Sequence, residues 1–147
     1  MINKWDLRFM ELARLVGTWS KDPSTKVGAV IVDNNRKVLG LGYNGFARGV
    51  EDTEERLNNR DLKYPLTIHA EINAISNAMC DLTHCTLYVD PLPTCSRCAA
   101  QIINSGITRV VCAPLKDSNA SWQSDVDLAL MQFEEANVEV NFLELTQ

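Results

Sequence analysis

His69 and Glu71 stand two residues apart in LTIHAEINAI, the otherwise largely apolar stretch from Leu66 to Ile75, in a chain with only two histidines. Downstream, Cys95 and Cys98 form a C-x-x-C pair within PTCSRC. In a reducing compartment such a pair is a thioredoxin-type redox couple or part of a metal site. The redox reading leaves His69 and Glu71 without a purpose, whereas the metal reading uses all four residues. His69, Cys95 and Cys98 make three ligands of the nitrogen-and-sulfur kind that suits Zn2+. Three protein ligands leave the fourth tetrahedral position open for water, which distinguishes catalytic from structural zinc. Zinc there lowers the pKa of that water to about 7, and Glu71 serves as a proton carrier rather than a fourth ligand. The expected chemistry is attack of the activated water on an electron-poor ring carbon that bears an amino group. A lone histidine on an apolar face is usually a core residue, and a lone C-x-x-C is only moderate evidence. It is their conjunction that points to a catalytic metal.

The elements around these residues suit that role. Trp5, Phe9, Leu12 and Val16 recur at helical spacing, so residues 5–18 read as a helix. KVGAVIVD and VLGLGYN read as two strands of a hairpin across the turn-like NNRK. From Gly45 to Pro65 the chain is polar and irregular, too long for a plain connection, and reads as a functional loop. Thr67 is the expected cap of a helix from about Ile68 to Met79. CTLYVD is a third strand, and PLPTCSRC leads into the helix CAAQIINSG, closed by Gly106. TRVVCA, SDVDLALMQFEEAN and VEVNFLEL follow as strand, helix and strand. The order α-β-β-α-β-α-β-α-β predicts a mixed sheet with helices on both faces, in one domain covering 1–147. In this arrangement His69 and the C-x-x-C pair sit at two helix starts, where the positive ends of the helix dipoles favour thiolates.

Bulk composition narrows the function classes. The chain has 147 residues, 46% apolar and 22% charged, an ordinary globular balance. Fourteen basic against nineteen acidic residues give a net charge of −5, which argues against a nucleic-acid backbone surface but leaves room for a small phosphorylated ligand. No apolar run approaches the roughly 20 residues needed to span a bilayer, and MINKWDLRFMELARLV lacks a signal-peptide core, so a cytoplasmic location is expected. Five cysteines is an odd number and no disulfide framework is evident. Cys112 lies in an apolar strand and reads as core. Cys80, His84 and Cys85 are candidates for part of a second metal site, without an evident fourth ligand.

HAE at 69–71 with PTCSRC at 93–98 matches the H-x-E…P-C-x-x-C signature of zinc nucleobase deaminases, with Thr94 inserted between the proline and the first cysteine. The resemblance then becomes more specific. WDLRFMELARL, SKDPSTKVGAVIV, GLGYNGFARGV, YPLTIHAEINAI and TCSRCAAQIINSGITRVV are similar to the deoxycytidylate (dCMP) deaminases, and only the part after Val111 resembles them loosely. This likeness implies a three-layer α/β/α fold around a five-stranded mixed sheet, and hydrolysis of dCMP to dUMP and ammonia for thymidylate synthesis. It also implies a homohexamer, activated by dCTP and inhibited by dTTP.

By the same resemblance, Asn44 matches an asparagine that contacts the sugar 3′-hydroxyl, although Asn-Gly also favours a plain turn. The backbone N–H of Ala70 is expected to meet the pyrimidine carbonyl. Ser24 and Lys26 suit the 5′-phosphate as hydroxyl and cation, or equally a solvated turn. Gly45, Arg48 and Gly49 fall in the segment that resembles the nucleotide-effector region. Trp122 is the candidate aromatic near the cleft, and helix-start packing explains it equally well. Within enzymes, the rivals are a deaminase that takes dCTP, for which Arg48, Arg56, Arg60 and Lys63 are possible phosphate partners, and a tRNA adenosine deaminase, which the acidic balance disfavours. Outside enzymes, a structural-zinc effector-binding module has no need of Glu71.

Overall fold

GAVIV, Gly28–Val32, is buried at every position, so this strand must be covered on both sides. The computed structural model, which describes residues 1–146, shows what covers it. The elements are α1 (Lys4–Gly17), β1 (Gly28–Val32), β2 (Val38–Tyr43), β3 (Gly45–Phe46), α2 (Glu54–Asn58), α3 (Arg60–Leu66), β4 (Thr67–Ile68) and α4 (Ala70–Ala78). Then come β5 (Thr86–Asp90), α5 (Ser96–Asn104), β6 (Arg109–Cys112), a 3-10 turn (Asp117–Trp122), α6 (Gln123–Glu135) and β7 (Glu139–Phe142). Five strands form one sheet in the order β2-β1-β5-β6-β7. β1 runs antiparallel to β2 and β5, while β5, β6 and β7 are parallel. This is the expected mixed sheet.

Alternation along the strands sorts the core into two layers. Ala29 and Ile31 of β1, with Leu87, Val89, Val110 and Cys112, pack against α4, α5 and α6. Val30 and Val32, with Tyr88 and Val111, pack against Phe9, Met10 and Ala13 of α1. Helices therefore cover both faces, giving the three-layer α/β/α sandwich.

Two contacts set the helix positions. At Gly40 and Gly42, alternate residues of β2, a Cβ would run into the α4 backbone at Ala74 and, for Gly42, also at Ala70. The missing side chains let α4 lie backbone to backbone on β2. Asn73 and Asn77 of α4 reach over and donate to the Tyr43 and Leu41 carbonyls, each at 2.8 Å. On the other face, Asp6 of α1 is 1% exposed and accepts from Tyr88 Oη at 2.6 Å and from Arg109 Nη1 and Nη2 at 2.8 and 2.9 Å. Burial alone pushes the Asp6 carboxyl up, but hydrogen bonds from Arg109, Tyr88 and Asn3 outweigh it and bring the group down to about 2.

Two expectations are corrected. α4 begins at Ala70 with His69 as its N-cap, not at Ile68 behind Thr67. Thr67 and Ile68 instead pair as a strand with Phe46 and Gly45, and the Thr67 hydroxyl donates to the Lys63 carbonyl at 2.6 Å. The stretch from Gly45 to Pro65 is not irregular throughout. It holds β3 and two short helices, started by Thr53 and Asn59 accepting from the backbone N–H groups of Arg56 and Asp61.

Replacing Gly42 with alanine should lift α4 from the sheet. A loss of about 1–3 kcal/mol in stability is expected from overpacking, together with reduced zinc content, read by denaturant unfolding and elemental analysis. Asp6 generates a pH dependence. Its folded value lies below the ordinary 3.8, so its stabilisation is present above that value and is lost as pH falls towards about 2. About 2 kcal/mol should disappear over that window. Urea midpoints of Asp6→Asn should show a shallower acid slope than wild type, and equal slopes would remove Asp6 from the account.

Candidate active site and metal centre

The register of the sheet brings the site together at one edge. Gly28, the first residue of β1, pairs with Tyr43 at the end of β2 and with Asp90 at the end of β5. Asn44 and the 91–95 loop therefore leave the sheet side by side, and α4 and α5 start beside them. This is the carboxyl end of the parallel strands, the usual place for ligands in open α/β sheets.

His69 Nδ1 lies 3.2 Å from Cys98 Sγ and 3.5 Å from Cys95 Sγ. Among the described residues these three form the one His/Cys/Asp/Glu group whose ligand atoms come together, all within 4.8 Å of one another. Ligands held at about 2.0–2.3 Å around a tetrahedral ion stand about 3.5 Å apart, so both spacing and donor types fit zinc. Cys98 is buried, Cys95 half-buried and His69 exposed, which leaves one side of the cluster open.

Electrostatics push the two thiols in opposite directions. A hydrogen bond from Cys98, assisted by His69, holds the Cys95 thiol down to about 4 against the opposing effect of burial. The hydrogen bond to Cys95 and burial push Cys98 far up. The hydrogen bond with Cys95 also raises His69, against burial. A cation at the centre of the three ligands replaces those protons. Glu71 is 4% exposed, and burial raises its carboxyl to about 7, against the lowering pull of its own backbone N–H and of His69. Such a group can both accept and return a proton near neutrality.

A cavity of about 850 Å³ opens over the cluster. His69, Ala70, Glu71 and Cys95 line it, as do Asn44, Ser24 and Trp122. His69 makes no side-chain cap, so the Ala70 N–H at the helix start has no side-chain acceptor. Asn44 Oδ1 accepts from Val27 N at 2.9 Å and its Nδ2 donates to the Thr25 carbonyl at 2.9 Å, leaving one N–H of the amide. Lys26 is not among the lining residues: its ammonium donates to the Ser20 carbonyl at 2.6 Å. Gly45, Arg48 and Gly49 also lie outside the cavity wall, with Arg48 donating to Asn77 Oδ1 at 3.2 Å.

The structure answers three further sequence questions. Thr94, the inserted residue, turns inward and is 3% exposed. Pro93 and Cys95 consequently keep their places on the cavity wall. Cys112 is core, as expected. Cys80, His84 and Cys85 do not converge on a second metal site among the described residues: Cys80 is exposed, while Cys85 is buried against the sheet.

Sequence reasoning missed Asp125. From the start of α6, its carboxylate accepts from Ser96 N at 2.9 Å and Ser96 Oγ at 2.6 Å, between the two cysteines. Gln132 adds a hydrogen bond to the Ser96 carbonyl at 2.9 Å. The only signal was an acidic residue in the first turn of the last helix, which is common for other reasons.

Residues 3–114 match the family described as the cytidine and deoxycytidylate deaminase zinc-binding region. The chain belongs to this family. The sequence of this deaminase is 44% identical over 146 residues to an uncharacterised deaminase of Aliivibrio fischeri from the luxG 3′ region, covering 99% of this chain and 97% of that protein. Human deoxycytidylate deaminase is 42% identical over 116 residues, 74% of this chain and 64% of that longer protein. The chain thus spans less than two thirds of that relative. The dCMP deaminase of cyanophage S-TIM5, solved with dCMP and dUMP, shares the fold at a TM-score of 0.76 and 23% identity, over 97% of this chain and 99% of that one. Membership makes this chain a hydrolytic deaminase with a zinc site, and His69, Cys95 and Cys98 fit that metal.

One zinc per chain is expected by elemental analysis of the purified deaminase. Loss of an outer partner of a metal site typically costs 10- to 100-fold in metal affinity. Asp125→Ala should therefore surrender zinc to a chelator at about 10- to 100-fold lower concentration. Wild-type retention would show that the cysteine loop holds itself.

Proposed function

We propose that this deaminase hydrolyses dCMP to dUMP and ammonia. The observation that carries the reading is Glu71, a buried carboxyl two residues after His69 and on the wall of an open cavity. The 42% identity to a deoxycytidylate deaminase supports the choice of nucleotide.

His69, Cys95 and Cys98 would hold zinc, which when bound would lower the pKa of a water beside them. Glu71 is placed to take a proton from water as the water oxygen bonds to C4 of the cytosine ring, and to deliver that proton to N3. The second proton passes by the same carboxyl to the exocyclic amine, the C4–N bond breaks, and ammonia leaves. Its raised affinity for protons fits a group that must be protonated midway through the cycle. The Ala70 N–H, at the uncapped start of α4, is available to the ring carbonyl. Asn44 keeps an N–H for the sugar after fastening the 25–27 backbone. Trp122, on the cavity wall and 44% exposed, offers an apolar face to the nucleotide.

The reading extends to regulation: activation by dCTP and inhibition by dTTP at Gly45, Arg48 and Gly49, in a homohexamer working in the cytoplasm. Support comes from the chain of contacts Arg48 to Asn77 and Asn77 to the Leu41 carbonyl, which joins this segment to the helix that bears Glu71. Gly49 has φ +84° with open space around it, so an effector phosphate can approach its backbone. No helix among the described residues is long and apolar enough to cross a membrane.

Glu71→Gln should keep its fold and its zinc while kcat for dCMP falls by about 10²- to 10⁴-fold. Ammonia release from dCMP, deoxycytidine, dCTP and a short RNA tests the substrate. Near-normal turnover by the variant would remove Glu71 as proton carrier, and preference for the RNA would overturn the nucleotide reading.

A further inference from the structure

The 91–95 loop brings Cys95 to the metal cluster, yet little within the loop fixes its path. Pro91 and Pro93 have no N–H to donate. Among the described residues, no backbone–backbone hydrogen bond joins residues 91–94 to the rest of the chain. The loop is held at its two ends instead. Downstream, the Asp125 carboxylate grips Ser96. Upstream stands Asp90, the last residue of β5.

Alternation along β5 turns Asp90, like Tyr88, away from the metal and towards α1. Arg14, in the last turn of α1, donates Nε to Asp90 Oδ2 at 3.1 Å and Nη2 to Oδ1 at 3.4 Å, so one guanidinium spans both carboxylate oxygens. The Asp90 side chain is 4% exposed, and Arg14 is its one side-chain donor among the described residues. As a source of stability such a pair is weak, because well-packed apolar residues do as well. Nor does α1 need it for attachment. Phe9, Met10 and Ala13 are already in the core, and Asp6 is bound to Tyr88 and Arg109. What the pair adds is position. Gly28 faces Asp90 across the β1–β5 ladder, and a Cβ there would run into the Ala13 carbonyl and the Gly17 nitrogen. The end of α1 is thus seated on the backbone beside Asp90, and Arg14 projects from a fixed base.

We propose that Arg14 and Asp90 are positioning residues for the metal site: their ion pair fixes the end of β5, and with it the point from which the loop carries Cys95 to His69 and Cys98. The pair acts from the layer opposite the metal, through the backbone. It rests on the zinc site alone and not on the nucleotide reading. Without Arg14, the buried carboxylate is unpaired, and the strand end turns to bring it to water, moving the loop.

The test follows the metal rather than turnover. Zinc-loaded Arg14→Met, Arg14→Lys, the double variant Arg14→Met with Asp90→Asn, and Asp6→Asn are titrated with a chelator. Cobalt-substituted samples report the geometry at Cys95 and Cys98 through thiolate-to-metal absorption. Arg14→Met should surrender zinc at about tenfold lower chelator concentration, within the range for supporting residues of metal sites, and its cobalt band should shift. Arg14→Lys keeps the charge without the fork and should fall between it and wild type. The double variant should stay as loose as Arg14→Met, although no unpaired charge remains buried. Asp6→Asn breaks the other polar tie of α1, and should lower the urea midpoint while matching wild type in zinc retention and spectrum. Wild-type retention and spectrum in Arg14→Met overturn the proposal. Full recovery in the double variant also overturns it, by making the effect one of an unpaired charge. Equal zinc loss in Asp6→Asn does the same, by making it one of general stability. If Arg14→Met does not fold, Arg14→Lys decides: weaker zinc retention with a shifted band supports the pair, and wild-type behaviour removes it. A protein that shows these shifts yet releases no ammonia from dCMP would sink the substrate reading and leave the positioning role standing.

Discussion

The seat of α4 on β2 governs the site. Gly40 and Gly42 remove two side chains from one face of the strand, and the helix backbone occupies the space. That contact places His69, Ala70 and Glu71 together, because the three residues are successive at the start of one helix. A helix held off by ordinary side chains would lift all three from the cysteines of α5. The metal ligands and the proton carrier thus depend on an interaction that is neither polar nor near the chemistry: close approach of two backbones, with dispersion contacts that a single methyl group would disrupt.

The second half of the cluster is placed from elsewhere. Cys95 caps α5 and receives the Cys98 N–H at 3.4 Å. Asp125 and Gln132 of α6 fix Ser96 between them. The chain beyond residue 114, where the family match ends, therefore reaches the metal loop through hydrogen bonds to its backbone and to the Ser96 hydroxyl. Such contacts depend on the position of an acceptor more than on a recognisable motif.

This difference explains what was legible in the sequence. The five strands showed as apolar runs between turn residues, and the metal ligands showed because histidine and paired cysteines are rare and tightly spaced. Thr67 was misread because its hydroxyl has two local uses, helix cap or bond to a preceding carbonyl, and pairing of Thr67–Ile68 with Gly45–Phe46 is a long-range event that no local pattern carries. Lys26 and Lys63 were indistinguishable as sequence, each a lysine in a polar setting. Only the fold turns one towards the Ser20 carbonyl and the other into the cavity.

The two asparagines of α4 reach beyond catalysis. β2 is one of the two edge strands of the sheet, and its Leu41 and Tyr43 carbonyls are already taken by Asn77 and Asn73. An exposed edge is ordinarily a template on which another chain can add a strand and start aggregation. Here an incoming strand finds two acceptors in use and side chains across its path. Continuous β-sheet growth between copies is therefore discouraged at this rim.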